Sequence, residues 1–469
     1  MLIAVTALIL HACKGDKAVE IPVNDFFKIP EKSGFKISPD GKYVSFIKPD
    51  KDKQNLYIES LDDLMNNSGT ERLAATFSNY SGRDYTWTYD NQIVFSQSDN
   101  ITDQNKIVVV DVATLKLRNM ISEKKEVRIR ILNRNRHQPD VITIEMNKRD
   151  SSTFDIYRLN VKTGELKPYL VNPGNVIEWY TDGDGKIRLA KASDGVDETI
   201  LYRPNENAPF KPIIKNNFKN SVTPIAFTSI KNYFYALSNV KRDKTALVMI
   251  NAEDGKEEKV IFASDNADIL HVEYSRNKHR LDFASWQEAK PHMYFLNGDA
   301  EHIYKNLRNH TELIGNEINI TASDSAENKF IVNTYTDRNP GSVYLYESKS
   351  DKLSPLGDNS TIQPEQLCAM KPISYKASDG RPINGYLTLP QGDSTNLPVV
   401  VIPHDGPFGT SNRDSWGYNP EVQFLANRGY AVLQVNYRGS TGYGKDFYSA
   451  GFKEMGGKIQ QDIADGVNW

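Results

Sequence analysis

Cysteine is almost missing from this sequence: Cys13 and Cys368 are the two in 469 residues. That count excludes a disulfide-stapled scaffold and any structural metal site built on several thiolates. An excess of charge of one sign is missing too. The formal net charge is −3 with both signs interspersed, so there is no basic stripe for nucleic acid and no acidic tail for a basic partner. Five of the histidines fall between residues 271 and 310, but none has H-E-x-x-H spacing, so neither a zinc site nor a cofactor is expected. A chain of this length exceeds one ordinary core, and two or more domains are expected. Its 24 Tyr and 19 Phe sit mainly in short alternating runs, the pattern of half-buried strands.

The one long apolar stretch opens the chain. Residues 1–12, MLIAVTALILHA, are followed by Cys13 and then by Lys-Gly-Asp-Lys. A dozen residues are too few to span a bilayer as a helix but suit the apolar region of a signal peptide. Leu10-His11-Ala12-Cys13 resembles a bacterial lipobox, in which a small residue precedes the cysteine that is lipidated. It departs from that pattern at the polar His11 and in having no Lys or Arg before the apolar run. The expectation is an exported bacterial protein, periplasmic or membrane-anchored as a lipoprotein through Cys13, with residues 13–34 as a linker. If Cys13 carries lipid, Cys368 has no partner within the chain.

Beyond this stretch the chain is organised by repeats. Ser38-Pro39-Asp40-Gly41-Lys42 and Thr88-Tyr89-Asp90-Asn91 are turns set between alternating strands, the hairpin signal. Weaker copies lie near Asp140, Asp184, Lys231, Asn277 and Glu327. A second register of apolar strands is centred on Tyr57, Val109, Tyr157, Tyr202, Met249, Tyr294 and Tyr344. Both registers repeat every 44 to 52 residues by these positions, the length of a four-stranded propeller blade. One small sheet cannot bury both of its faces, whereas a ring of sheets packs each against its neighbours. The spacing predicts an all-β, seven-bladed β-propeller over 35–356, with no long helical pattern interrupting it.

The texture then changes, and a second domain is expected over 371–469. Two strands flank the Asp379-Gly380 turn. Residues 397–402, LPVVVI, form a continuous run expected to be a strand buried on both faces. Helical spacing at Val422, Leu425 and Ala426 ends at Gly429, and residues 431–435 (AVLQV) form another buried strand. A helix from Lys458 sets Ile459, Ile463 and Val467 against Asp462 and Asp465 on opposing faces. Strands alternating with helices indicate a doubly wound α/β sheet. Glycine-rich loops follow its two buried strands: His404-Asp405-Gly406-Pro407-Phe408-Gly409, and Asn436-Tyr437-Arg438-Gly439-Ser440-Thr441-Gly442-Tyr443-Gly444. Loops at the carboxyl ends of parallel strands are where such sheets bind ligands.

These paired loops, in this order and spacing, resemble the prolyl oligopeptidase family of serine peptidases, nearest its acylaminoacyl-peptidase and dipeptidyl-peptidase branches. The resemblance covers about 100 residues in detail and implies a seven-bladed propeller before an α/β-hydrolase domain. It also implies peptide substrates, a Ser-Asp-His triad, and a propeller that limits access to short peptides. By the family's H-G-G-P pattern, the N–H of Gly406 is the loop donor to the oxyanion. His404 shapes that loop, and Arg438 anchors its own. Asp405 stands where the commoner pattern has Gly.

The nucleophile is missing. G-x-S-x-G occurs nowhere: Gly409-Thr410-Ser411 and Gly392-Asp393-Ser394 lack the second Gly, and Ser440 stands next to its Gly. His404 precedes any nucleophile, the wrong order for the general base of a hydrolase. The 469 residues therefore read as the propeller and the incomplete first part of the catalytic domain, with Ser, Asp and His expected beyond Trp469. Two other readings stand beside the peptidase: a non-enzymatic propeller binding module with a vestigial hydrolase segment, and an esterase. Glu257-Glu258 invites comparison with the glutamate pair of dipeptidyl-peptidases but sits in a charged turn, where a solvated surface is expected.

Overall fold

Ser38 and Thr88 close their turns in the same way. Each hydroxyl accepts from a backbone N–H four residues on (Lys42 at 3.1 Å, Gln92 at 3.1 Å). Each also donates to the aspartate two residues on, Asp40 and Asp90. The chain reverses at Gly41 (φ +69°) and Asn91 (φ +60°), left-handed positions that Gly and Asn adopt readily. The other five turns, at Asp140, Asp184, Lys231, Asn277 and Glu327, likewise join the first and second strands of a sheet.

The computed structural model describes residues 19–406 and 412–469 apart from 52, 67, 79–84, 100, 101, 393 and 394. Cys13 and the apolar run 1–12 lie outside the described residues, as do Pro407, Phe408 and Gly409. Seven antiparallel sheets follow one another over 33–78, 85–124, 129–170, 176–216, 222–262, 269–295 and 317–358, each with its strands in chain order. Period-two alternation divides each strand between two cores. Ile93 and Phe95 face the first sheet, with Leu56 and Phe77. Val94 points the other way, joining Ile107 and Val109 against Ile142 and Ile144 of the third sheet. The run IVVV at 107–110 is thus buried on both faces, as it must be if one sheet is sandwiched between two others.

The same arrangement recurs around the molecule. Trp179 and Ile187 of the fourth sheet meet Ile156 of the third, and Phe234 and Val248 of the fifth meet Ile200 and Tyr202 of the fourth. Leu247 meets Ile269 and Ala284 of the sixth, and Phe283 meets Phe330 and Val332 of the seventh. The seventh returns to the first, where Ile331 and Leu345 pack with Phe35, Val44 and Phe46. Ser325 N–H donates to Pro39 O at 2.9 Å and Lys329 Nζ to Gly41 O at 2.8 Å across that junction.

Helix α1, Gly298–Asn309, departs from the expectation of four strands per unit without a helix. The sixth sheet has three strands, and α1 follows them. Asn297 accepts from the N–H groups of Asp299 and Ala300, a side-chain cap that nucleates the helix. Ala300, Tyr304 and Leu307, spaced by four and three, bury one face, with Tyr304 and Leu307 in the core shared by the sixth and seventh sheets.

The last sheet runs β1 (Met370–Lys376), β2 (Pro382–Thr388), β4 (Ala431–Asn436), β3 (Val399–Val401) in space. β1–β2 and β2–β4 are antiparallel; β3 and β4 are parallel, joined through α2 (Pro420–Asn427). β4 is buried at every residue, as its sequence requires. β3 is not. Val399 is 51% exposed, because among the described residues β3 is the edge of the sheet, with β4 its one neighbour. In β2, Gly385 admits the neighbouring strand, since a Cβ there would stand 2.2 Å from Gln434 O. Residues 19–27, within the expected linker, dock on α2: Asn427 accepts from Ile21 N at 3.0 Å, and Phe26 and Phe27 meet Phe424.

Candidate active site

Parallel β3 and β4 end side by side, so the loops that follow them meet. The His404 ring stacks on Tyr437 at 4.3 Å and 14°. The Tyr437 hydroxyl donates to His404 O at 2.9 Å, and His404 Nε2 lies 2.7 Å from Ser440 Oγ. His404 Nδ1 lies 2.7 Å from Asp405 O; a carbonyl only accepts, so a proton sits on Nδ1. Burial pushes the His404 pKa below its ordinary value. Ser440 is fully buried, and its hydroxyl lies 2.7 Å from Tyr437 O. A hydroxyl so enclosed ties two loops together and cannot meet a substrate.

Gly406 follows this tied pair. Its φ is +123°, and a Cβ would stand 2.5 Å from Asn412 Nδ2, so both backbone and space require glycine. The residue is exposed, and its N–H has no acceptor among the described residues. An unpaired N–H at the mouth of a loop is available to a developing negative charge. Asp405 is exposed beside it.

Arg438 lies on the other side of β4, 3% exposed. Nε and Nη2 grip Asp462 at 2.8 and 2.6 Å, and the Arg438 N–H donates to the same carboxylate at 2.9 Å. Nη1 and Nη2 reach Asp379 at 2.8 and 3.2 Å. Hydrogen bonding from Arg438 holds the Asp379 carboxyl down at about 2. Asp462 therefore does not belong to a polar outer face of α3 (Lys458–Asn468): it is fully buried, and Val467 is 53% exposed. Ile459 and Ile463 face inward as their spacing predicts, and Asp462 joins them because Arg438 meets it there.

The loop after β4 also leans on the earlier sheets. Gly444 N–H donates to Asp268 at 2.9 Å and Asp446 N–H to Asp243 at 2.7 Å. Sequence reasoning passed over Asp243, Asp268, Tyr437 and Ser440. Their partners are remote in the chain or carry no motif, and Asp379 was legible only as a turn residue. Glu257 pairs with Arg242, a contact made within the fifth sheet. Among the described residues no three His, Cys, Asp or Glu side chains converge to hold a metal.

Asp414, between the two loops, carries a prediction. Burial pushes its carboxyl up to about 6, against the opposing effects of the Gln434 amide at 2.9 Å and of Arg413. Among the described residues its Oδ2 has no partner. With a raised pKa the folded chain keeps a proton that the unfolded chain has lost. Its contribution is full below about pH 4 and lost as pH rises through about 6. Asp414→Asn is expected to stabilise the protein at pH 8 by up to about 3 kcal/mol, with the gap closing below about pH 4. Urea unfolding at both pH values checks this; equal gaps would remove Asp414 as the cause.

Residues 416–469 match the model of the prolyl oligopeptidase family. Over that stretch the chain is similar to that family. Dipeptidyl aminopeptidase BIII of Pseudoxanthomonas mexicana is 26% identical over 470 residues, covering 94% of this chain and 64% of its own length. Dipeptidyl peptidase family member 6 of Caenorhabditis elegans is 27% identical over 490 residues, covering 96% of this chain and 65% of its own. The chain thus spans just under two thirds of the length of these relatives. A solved Mycobacterium tuberculosis puromycin-hydrolyzing peptidase shares the fold at TM-score 0.68 and 14% identity, covering 96% of this chain and 74% of that one. In family terms, the matched stretch holds α2, β4, the Arg438 loop and α3, so it includes the Arg438–Asp462 pair.

Proposed function

We propose that this protein is an exported serine peptidase whose Ser-Asp-His triad is supplied by sequence beyond Trp469. The family match over residues 416–469 carries the reading, and more than a third of each dipeptidyl peptidase relative lies outside the region shared with this chain. Residues 35–356 are the propeller, with the seven sheets as its blades, and 371–469 begin the α/β-hydrolase domain. The return of the seventh sheet to the first supports a closed ring, which removes exposed sheet edges and leaves a restricted way in for peptides. Gly406 N–H is the loop donor of the oxyanion hole; an N–H without an acceptor among the described residues and a glycine-only geometry support that role. His404 sets the loop through Tyr437 and Ser440, and Arg438 fixes its own loop on Asp462 and Asp379.

In triad chemistry the serine oxygen attacks the peptide carbonyl while the histidine takes its proton. The histidine then returns that proton to the leaving amine, and water cleaves the acyl-enzyme. The donor at Gly406 stabilises the tetrahedral oxyanion in both steps. At the other end, Cys13 carries lipid and holds the enzyme at a membrane surface, which the lipobox-like Leu10-His11-Ala12-Cys13 supports.

The test is to read the gene past the codon for Trp469 and to label the full-length product with a fluorophosphonate. An in-frame G-x-S-x-G followed by Asp and His, labelled at that serine, is the expected result. A stop codon at that point, or a labelled protein that cleaves esters and no peptide, overturns the proposal. An unprocessed N-terminus in the mature protein removes export and lipidation.

A further inference from the structure

A cavity of about 720 Å³ is enclosed by the inner strands of the first, second, third, sixth and seventh sheets. That volume lies within the roughly 300–1,000 Å³ range of small-ligand sites. Arg134 of the third sheet and Arg276 of the sixth both line it. Arg134 is held in place, its Nη1 donating to Trp87 O at 2.6 Å and its guanidinium 5.1 Å from the centre of the Tyr89 ring. Arg276 reaches across the cavity to Asn133 Oδ1 at 3.5 Å, the same oxygen that accepts from Arg134 N–H at 2.8 Å. A second bridge, Arg136 Nη1 to Asn277 O at 3.1 Å, joins the same two sheets.

Two guanidinium groups are thus brought together with no counter-charge among the described residues. Neither Arg134 nor Arg276 forms an ion pair with a described carboxylate. The acids that line the cavity are engaged elsewhere: Glu273 faces His271 at 3.1 Å, and Glu327 takes Ser275 and Lys278. Burial and the neighbouring Arg276 both hold the Arg134 guanidinium below its ordinary pKa, although Tyr89 acts the other way. Like charges set side by side in a partly enclosed space are unfavourable, and an anion lying between them removes the conflict. The planar fork of arginine matches the two oxygens of a carboxylate. Tyr89 and Tyr274, both half-buried and lining the cavity, offer rings for the apolar parts of a ligand.

We propose that this cavity binds peptide carboxylates, with Arg134 and Arg276 as its anchors. The class of ligand rests on the peptidase reading above; the anion preference rests on the arginines alone. Isothermal titration of the 469-residue chain at low salt tests it without turnover, so a missing triad does not affect the outcome. The probes are trialanine, trialanine amide, Ala-Glu-Ala amide and inorganic phosphate. Trialanine or Ala-Glu-Ala amide is expected to bind and to weaken with added salt, while trialanine amide does not bind. The first of these alone assigns the terminal carboxylate as the ligand, the second alone an acidic side chain. Arg134→Gln and Arg276→Gln should each weaken binding about tenfold, and Arg276→Lys less. Arg276 is exposed, so its variants fold even if loss of Arg134 disturbs Tyr89. Equal binding of trialanine amide, which lacks a carboxylate, unchanged affinity in the Arg276→Gln variant, or binding of phosphate alone overturns the proposal.

Discussion

Arg438→Met is expected to destabilise the C-terminal sheet by about 3–5 kcal/mol, the cost of leaving a buried carboxylate without its partner. Asp462 is fully buried and takes three hydrogen bonds from Arg438, two from the guanidinium and one from the backbone. Removing the side chain deletes the two charged ones and leaves the carboxylate in a site with little water to solvate it. The pair itself need not be worth that much. Two charges taken out of water lose nearly as much solvation as their attraction returns. Arg438→Met combined with Asp462→Leu should therefore recover most of the loss, while Asp379→Asn, at a side chain 39% exposed, should cost less than about 1 kcal/mol. Denaturant midpoints of the three variants decide it. If the double variant is as unstable as Arg438→Met, packing by the arginine stem, not the unpaired charge, is what matters.

Gly406→Ala in the full-length enzyme is expected to lower kcat by about 10²–10³-fold while KM changes little. A methyl at this φ of +123° strains the backbone and meets Asn412 Nδ2 at 2.5 Å. The loop must move, and the N–H moves with it. An oxyanion donor acts on charge that exists only in the transition state, so its displacement lowers turnover and spares ground-state binding. Full kcat in this variant would remove Gly406 from the oxyanion hole. A matched rise in KM would instead point to a general collapse of the loop, which an unchanged melting temperature excludes.

The repeat was legible because its signals are local. Turns such as Ser38–Asp40 and Thr88–Asp90 are closed by side chains two and four residues away, so their sequence carries their geometry. Helix α1 was not legible against that background. Its apolar positions are few and sit among Asp299, Glu301, Lys305 and Arg308, and only the gap between the sixth and seventh sheets makes them a buried face. In the site, Gly406, His404 and Arg438 could be picked from paired motifs. Their partners could not, since Asp379 is 59 residues from Arg438 and Ser440 is 36 from His404.

By itself, then, the sequence determined the seven-fold recurrence of hairpins, the change to strand–helix alternation after the repeats, and the two glycine-rich loops. Each of these depends on interactions within a few residues, or on a period of two or 3.6 that any chain carries along its length. Tertiary structure alone decided that Asp462 turns inward and that Arg134 and Arg276 share one cavity. Burial and charge pairing are properties of neighbours distant in the chain. A hydrophobic run states what a strand tolerates on its faces, not what the fold places there, and a charged residue is buried only where a partner is already fixed to meet it.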